Sequence, residues 1–406
     1  MMRNHTTVAA IDVGTTKVCT IIADTDGNGG LRVLGVGITP SKGLAKGLVV
    51  NIADARESIR ESVKRAEQAS GSRVESAYVG VTGRHVASTN NQGVVAITRN
   101  DRLVRADDLK RVLDSARSVK VSPDRRLIHV IPRNYTVDGQ VGVKNPVGMH
   151  GFRLDVETHV ITAAATSVQN LVKCVRSIGV DIDDLVLEPL ASGEAILSED
   201  EKQIGVIMAD IGGGTTDIAI FREGSIWHTS ILPVAGYQLT RDVAIGLGLP
   251  FDVAEEMKKR YASVMPVKDG ASEPPPEMSQ DGHGVSYHDL CDIIRARVEE
   301  ILRLIYLELP SGDYESVVPA GLVLTGGGAN MNGIAALGRE MLQMPVRVGI
   351  PRNLNGISDT LLNPCYATSV GLMLWGTKND RKQSWKGSLF GYQLWRLAAR
   401  MKRLFG

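Results

Sequence analysis

The alternation of apolar and polar positions divides the chain into short strands and amphipathic helices in close succession. Val8 to Ile22 reads VAAIDVGTTKVCTII, two apolar runs around a small-residue turn. That pattern predicts a strand, a tight corner and a returning strand. The same grammar returns from Ile204 to Phe221, IGVIMADIGGGTTDIAIF, and LVLTGGGANMNGI predicts a strand that leaves through glycines into a helix. Ile52, Ala55, Ile59, Val63 and Ala66 recur at helical spacing behind Asn51, a candidate N-cap. Residues 73–98 alternate like strands around an Asn-Asn-Gln-Gly turn. A helix is expected from Arg105 to Val119, with Asp107 and Asp108 at its positive end, then further strands, and a return to helix after residue 167. DLCDIIRARVEEILRLIYLEL predicts a charged amphipathic helix, while Pro266 to Gly284 is rich in Pro, Ser and acids without apolar periodicity and reads as a mobile loop.

At 406 residues with 43% apolar and 22% charged side chains, the chain is long enough for two lobes with sizeable cores. Its net charge of +1 hides an asymmetry: residues 378–406 hold eight Lys and Arg against Asp380 alone, a net +7, which leaves −6 on the rest. A mildly acidic body argues against nucleic-acid binding and directs attention to the tail. Cys19, Cys174, Cys291 and Cys365 have no metal-ligand spacing and read as inert thiols. His85, His129, His150 and His159 likewise suit no simple metal site and read as satisfied or surface histidines. Asp12 interrupts the short N-terminal apolar run, so no signal peptide is expected, and Pro319 with its neighbouring glycines breaks the uncharged stretch 316–338. The body is expected to be cytoplasmic.

The glycine clusters carry the chemistry. Without Cβ atoms, Gly212, Gly213 and Gly214 let backbone N–H groups approach an anion, and Thr215 and Thr216 add hydroxyl donors. Gly14, Thr15, Thr16 and Lys17 repeat that arrangement in the first hairpin. Two such turns can clamp one triphosphate from opposite sides, with Asp12 and Asp210 holding Mg2+ directly or through water. Gly326, Gly327, Gly328 and Ala329 suit the flat face of a nucleobase or its sugar. Neither a GxxxxGK[ST] loop nor a GxGxxG fingerprint is present.

The order DVGTTK, DIGGGTTD, LTGGGA resembles the actin, heat-shock chaperone and sugar kinase superfamily, in which two similar lobes close over ATP and a metal. KGLVVNI, VTGRHVASTNNQGVV and IHVIPRNYTVDGQVGVKNPVGMHGFRLDVETHVIT narrow the match, from about residue 6 onward, to the FtsA family of actin-like bacterial division proteins. The resemblance implies an α/β, two-lobed actin-like ATPase fold with a small inserted α+β domain. Residues 6–82, 161–200 and 366–377 would build the first lobe and 83–160 the insert, which contributes to self-association and to contacts with other division proteins. Residues 201–240 and 300–365 would build the second lobe, and 241–299 its subdomain, which receives the C-terminal peptide of FtsZ. It further implies Glu188 as the acid near the attacking water, Gly236 beside phosphate, and Glu255 with Lys258 at the ribose. An i,i+3 ion pair between the last two looks the same in sequence. Ala262 replaces a usual glycine, which bears on the loop that follows.

After a polar linker at 378–387, LFGYQLWRLAARMKRLFG reads as an amphipathic helix over 388–406. Phe390, Leu394, Leu397, Ala398, Met401, Leu404 and Phe405 fall within about 120° of one another on a helical wheel, opposite Arg396, Arg400 and Arg403. Trp395 and Lys402 stand at the border, suited to lipid headgroups, so an anionic membrane surface is the expected partner. The expectation is an ATP- and Mg2+-binding scaffold at the division site that self-assembles and joins the tubulin-like FtsZ polymer to the inner membrane face. The alternatives are a PilM-like pilus scaffold, which leaves the basic tail unexplained, and a small-metabolite kinase, which lacks a sugar-kinase signature.

Overall fold

The computed structural model describes residues 6–25, 31–118, 121–265, 286–309, 317–352, 354–356 and 359–378. In chain order, β1 (Thr6–Val13), β2 (Lys17–Thr25) and β3 (Leu31–Pro40) form an antiparallel meander. A small hairpin, β4 (Leu44–Ala45) and β5 (Leu48–Val49), leads to α1 (Ile52–Ser70) and β6 (Ser76–Val81). β7 (Val86–Ala96), α2 (Ala106–Arg117), β8 (Arg125–Val137), β9 (Gln140–Val143) and β10 (Arg153–Ala164) follow. The chain then runs through α3 (Ala165–Arg176), β11 (Asp181–Leu187), α4 (Glu188–Ile196) and α5 (Glu199–Ile204). Next come β12 (Val206–Ile211), β13 (Thr216–Arg222), β14 (Ser225–Leu232), α6 (Gly236–Gly246), α7 (Phe251–Tyr261) and α8 (Tyr287–Leu307). The last described elements are β15 (Leu322–Thr325), α9 (Ile334–Leu342), β16 (Val346–Val348), β17 (Leu354–Gly356) and α10 (Ala367–Lys378).

The two larger sheets repeat one plan. In the first, order β11-β6-β1-β2-β3-β17, the β1–β2 hairpin has β3 antiparallel on one side and β6 parallel on the other. In the second, order β14-β13-β12-β15-β16, the β12–β13 hairpin has β14 antiparallel and β15 parallel. The burial pattern explains why: β12 is buried at every position, as a strand covered on both faces must be. One apolar cluster fills the second lobe beneath α6, α7 and α8, and another fills the first beneath α1 and α3. A third lies between the lobes, where Leu190 and Ala191 of α4 and Val370, Leu372 and Met373 of α10 join Ile21 of β2 to Met208 of β12.

Local signals account for the helix ends. Asn51 caps α1, its Oδ1 accepting from Ala53 N (3.0 Å) and Asp54 N (3.3 Å), and Gly71 closes the helix at φ 70°. At α2 one of the two expected acids caps the positive end: the buried Asp108 carboxylate accepts from Arg105 N at 3.0 Å and pairs with Arg99 and Arg111, while the exposed Asp107 only pairs with Arg99. Val119 lies outside the described residues.

Two expectations are corrected. The Asn-Asn-Gln-Gly stretch is no turn: Asn90 to Gly93 runs inside the continuous strand β7, paired along its length with β10 in the sheet β7-β10-β8-β9. Gly93 is there for a different reason, since a Cβ would stand 2.3 Å from Val112 O and 2.7 Å from Ala116 N. It lets α2 lie against the strand. The chain leaving β15 enters a 3-10 turn at Gly327–Asn330, and α9 begins only at Ile334.

Candidate functional site

The two acid-bearing hairpins meet. A Cβ on Gly213 would lie 2.1 Å from Thr16 Oγ1, and one on Gly214 would lie 2.7 Å from Thr15 Oγ1. The turn 14–16 of the first lobe therefore faces the turn 212–215 of the second with no room for side chains on the glycines. Gly326 closes the third side: its φ is +81°, and a Cβ would stand 2.2 Å from Asp210 Oδ1. Gly328 packs on Ile211 in the same way, Ala329 is buried in the second-lobe core, and Gly327 faces open space. The sequence-predicted residues Gly14 to Lys17, Gly212 to Gly214 and Gly326 to Ala329 thus border one crevice with Asp12 and Asp210, near the ends of their strands. The expected hydroxyl donors Thr215 and Thr216 are instead committed elsewhere: Thr215 bonds Asp217, and the buried Thr216 Oγ1 donates to Val234 O at 2.7 Å.

Each acid is held by hydroxyls from elsewhere in the chain. Ser369 Oγ donates to Asp12 Oδ2 (2.6 Å), while Ser192 Oγ (2.7 Å) and Thr368 Oγ1 (3.0 Å) donate to Asp210 Oδ2. Thr82 Oγ1 donates to both oxygens of Asp217 at 2.8 Å. Consecutive residues at the start of α10 thus grip one carboxylate from each lobe. Burial pushes Asp210 above the usual carboxylate range, against the pull of Ser192 and Thr368, and pushes Asp217 up to about 8, with Asp210 adding to the effect. Burial works against the Lys17 ammonium, but Asp12 first and then its other neighbours, Asp210 among them, hold it above the ordinary lysine value. Its Nζ donates to Cys365 O at 2.5 Å and stands 5.0 Å from the Tyr366 ring centre.

Glu188 opens α4, 7% exposed, and a Cβ on Gly80 would lie 3.1 Å from its Oε1. Burial raises its carboxyl well above the usual range, and Asp12, Asp217 and Asp210 raise it further. A small cavity bordered by Val13, Gly47, Gly80, Thr82, His85 and Glu188 lies behind it. At α6, Gly236 N and Tyr237 N donate to Gly212 O (3.1 Å) and Gly213 O (2.7 Å), so the helix start braces the glycine turn. Glu255 and Lys258 form an ion pair at 2.6 Å, and Lys258 Nζ also donates to Gly236 O (3.2 Å) and Thr240 Oγ1 (2.8 Å).

Sequence reasoning missed Thr82, Ser192, Thr368 and Ser369. The available signal was the small, hydroxyl-bearing run ATS at the head of the apolar segment NPCYATSVGLMLWG. Among the described residues no group of three or more His, Cys, Asp and Glu is arranged to hold a metal. The predicted metal pair fits Mg2+, which takes one or two carboxylates and completes its shell from water and phosphate oxygens. The membrane set Phe390, Leu394, Trp395, Arg396, Leu397, Arg400, Met401, Lys402, Arg403, Leu404 and Phe405, like loop 266–284, lies outside the described residues.

Comparison with known proteins adds to this geometry. The model of the family "Cell division protein FtsA" matches residues 207–371, and that of the "SHS2 domain inserted in FTSA" matches residues 83–162. Cell division protein FtsA of Pseudomonas aeruginosa is 43% identical over 383 residues, 92% of this chain and 90% of that protein. Its counterpart in Escherichia coli K12 is 34% identical over 382 residues, again 92% and 90%. Among solved structures, the PilM-PilN type IV pilus biogenesis complex has a TM-score of 0.63 at 17% identity, covering 91% of this chain and 98% of that one. MreB5 of Spiroplasma citri bound to ADP has a TM-score of 0.54 at 14% identity, covering 92% and 98%. The architecture is the two-lobed actin-like fold with an inserted SHS2 domain, and the chain belongs to the FtsA family of cell division proteins.

Proposed function

We propose that this protein is an ATP-binding scaffold of division that self-assembles, receives the C-terminal peptide of FtsZ on the 241–299 subdomain, and ties that polymer to the cytoplasmic membrane face through residues 388–406. Later division proteins join it there. The observation that carries the nucleotide part is the meeting of the Thr15–Thr16 and Gly213–Gly214 turns, with two buried acids behind them. Mg2+ bound with ATP supplies positive charge opposite the phosphates.

The chain's own residues do the rest. Backbone N–H groups of the two turns and the Thr15 and Thr16 hydroxyls orient the polyphosphate, and Lys17 adds a cation. Gly326 to Ala329 receive the nucleoside, with Glu255 and Lys258 toward the ribose. Asp12 and Asp210 are positioned for the metal by the α10 hydroxyls, and Glu188 accepts the proton of an attacking water. The charge pattern after residue 378 supports attachment, and no described helix is long and apolar enough to cross a membrane. Filaments would combine many weak tail contacts into stable attachment.

Two measurements test this reading. Asp210→Ala should lower affinity for a fluorescent ATP analogue in Mg2+ by tenfold or more, and unchanged affinity sinks the nucleotide assignment. The full chain should pellet with anionic vesicles while a chain ending at residue 387 stays in solution. If both behave alike, the tail is not the anchor.

A further inference from the structure

Glu188 follows the last residue of β11, an edge strand of its sheet. An edge strand leaves N–H groups unpaired on its free side, and Leu187, the residue before Glu188, has no strand neighbour there. The N-terminus of α4 has no side-chain cap of its own. His129 of β8, an inserted-domain residue far away in sequence, fills the gap: Leu187 N donates to its Nε2 at 3.1 Å. Burial lowers that imidazole to about 4, which leaves it neutral at pH 7, and accepting the Leu187 N–H at Nε2 places the ring proton on Nδ1. The Trp375 ring of α10 lies 5.4 Å from the imidazole, centre to centre, and fixes it from the other side. The His129 ring is therefore where the insert, α10 and the end of β11 just before Glu188 meet.

We propose that His129 is a positioning residue for Glu188: by anchoring the Leu187 N–H it sets the carboxyl's direction, so that the seating of the inserted domain governs the geometry of the nucleotide site. The inference rests on the reading of Glu188 as the group facing the attacking water. The peptide at Leu187 is the pivot of a strand-to-helix turn, and Gly80 against the carboxyl leaves little slack for a rotated side chain. A displacement of about 1 Å at such a group lowers turnover by up to about a hundredfold.

The test uses the full chain on anionic vesicles with Mg2+ and ATP. His129→Leu removes the acceptor, whereas His129→Gln keeps an oxygen that can accept the same N–H. We expect H129L to lower kcat at least tenfold with KM within threefold of the parent, and H129Q to recover most of the rate. Nucleotide-bound crystal structures of parent and both variants give a readout that needs no turnover: the Glu188 carboxyl should move by about 1 Å in H129L and stay in place in H129Q. Equal rates in all three, a common fall of kcat with melting temperature, or an unmoved carboxyl in H129L overturns the proposal. Glu188→Gln is the separate arm. Parental turnover in E188Q refutes the role of Glu188 itself, while loss of turnover there beside unaffected H129L refutes only the positioning.

Discussion

Individual side chains in this molecule are constrained most where acids are buried without a matching number of bases. Asp12, Asp210, Asp217 and Glu188 converge near Lys17, and backbone approach between them depends on glycine. Gly326→Ala should be the sharpest probe: a left-handed φ and a Cβ against Asp210 together cost about 2 kcal/mol, seen as a lower melting temperature with nucleotide affinity reduced at least tenfold. Two histidines make the fold acid-sensitive. Burial lowers His129 to about 4 and, with smaller contributions from His228 and Arg133, lowers His159 to about 3. A histidine depressed in the folded state stabilises fully above its unfolded value of about 6.5 and loses that contribution as pH falls toward the folded value. Asp217 works oppositely, since a carboxyl raised to about 8 favours the fold at low pH. The clean measurement is therefore a difference: the stability gap between parent and His129→Gln should shrink by about 2 kcal/mol between pH 7 and pH 4.5.

Among elements, α10 joins the lobes and its fit is tight. Gly371 lies so close to α4 that a Cβ would stand 1.8 Å from Ala191 O. Gly371→Val should destabilise by about 3 kcal/mol in urea titration and weaken nucleotide binding, because Thr368 and Ser369 shift away from the acids. What could be read from the chain divides along the same line. Both hairpins were legible because an acid, glycines and threonines interrupt apolar runs within a few residues. The α10 hydroxyls were not, because Ser369 and Asp12 stand 357 positions apart and nothing in either neighbourhood names the other. Gly93 was misread for a related reason: a glycine serving a helix from beneath looks the same in sequence as one serving a turn. His129 gave no signal, since its partner is a backbone N–H, which every residue but proline has.

At the scale of the whole molecule, the lobes touch along two boundaries that differ in how deeply their apolar side chains are buried. Around α4 and α10 they share an apolar cluster. On the other side, the inserted domain meets β14 and the turn before it through hydrogen bonds, Ser88 Oγ to Thr229 O (3.0 Å), Asn134 Nδ2 to Glu223 Oε2 (3.0 Å) and His159 Nε2 with Thr229 Oγ1 (3.0 Å), and sends the half-buried Val86, Ile128 and Ile131 to the edge of the same cluster. Trp227 is flanked there by Arg133 and Arg222, at 4.2 and 4.9 Å from its ring centre. Trp227→Ala should speed amide hydrogen exchange in β7 and β14 several-fold while leaving α10 protected, and equal acceleration in both would refute the distinction.

That difference gives the protein unequal stiffness. Hydrogen bonds between the insert and β14 can be exchanged for water at little net cost and the insert's apolar side chains there are half-buried, whereas parting the cluster around α10 would expose the fully buried Leu190, Val370, Leu372 and Met373. Thermal agitation should accordingly make the particle flex in one plane, gaping on the insert's side and staying shut along the spine. Any neighbour that grasps the SHS2 module and β14 together would splint that gap, and the damping would reach the glycine turns without a single atom of the spine being rearranged.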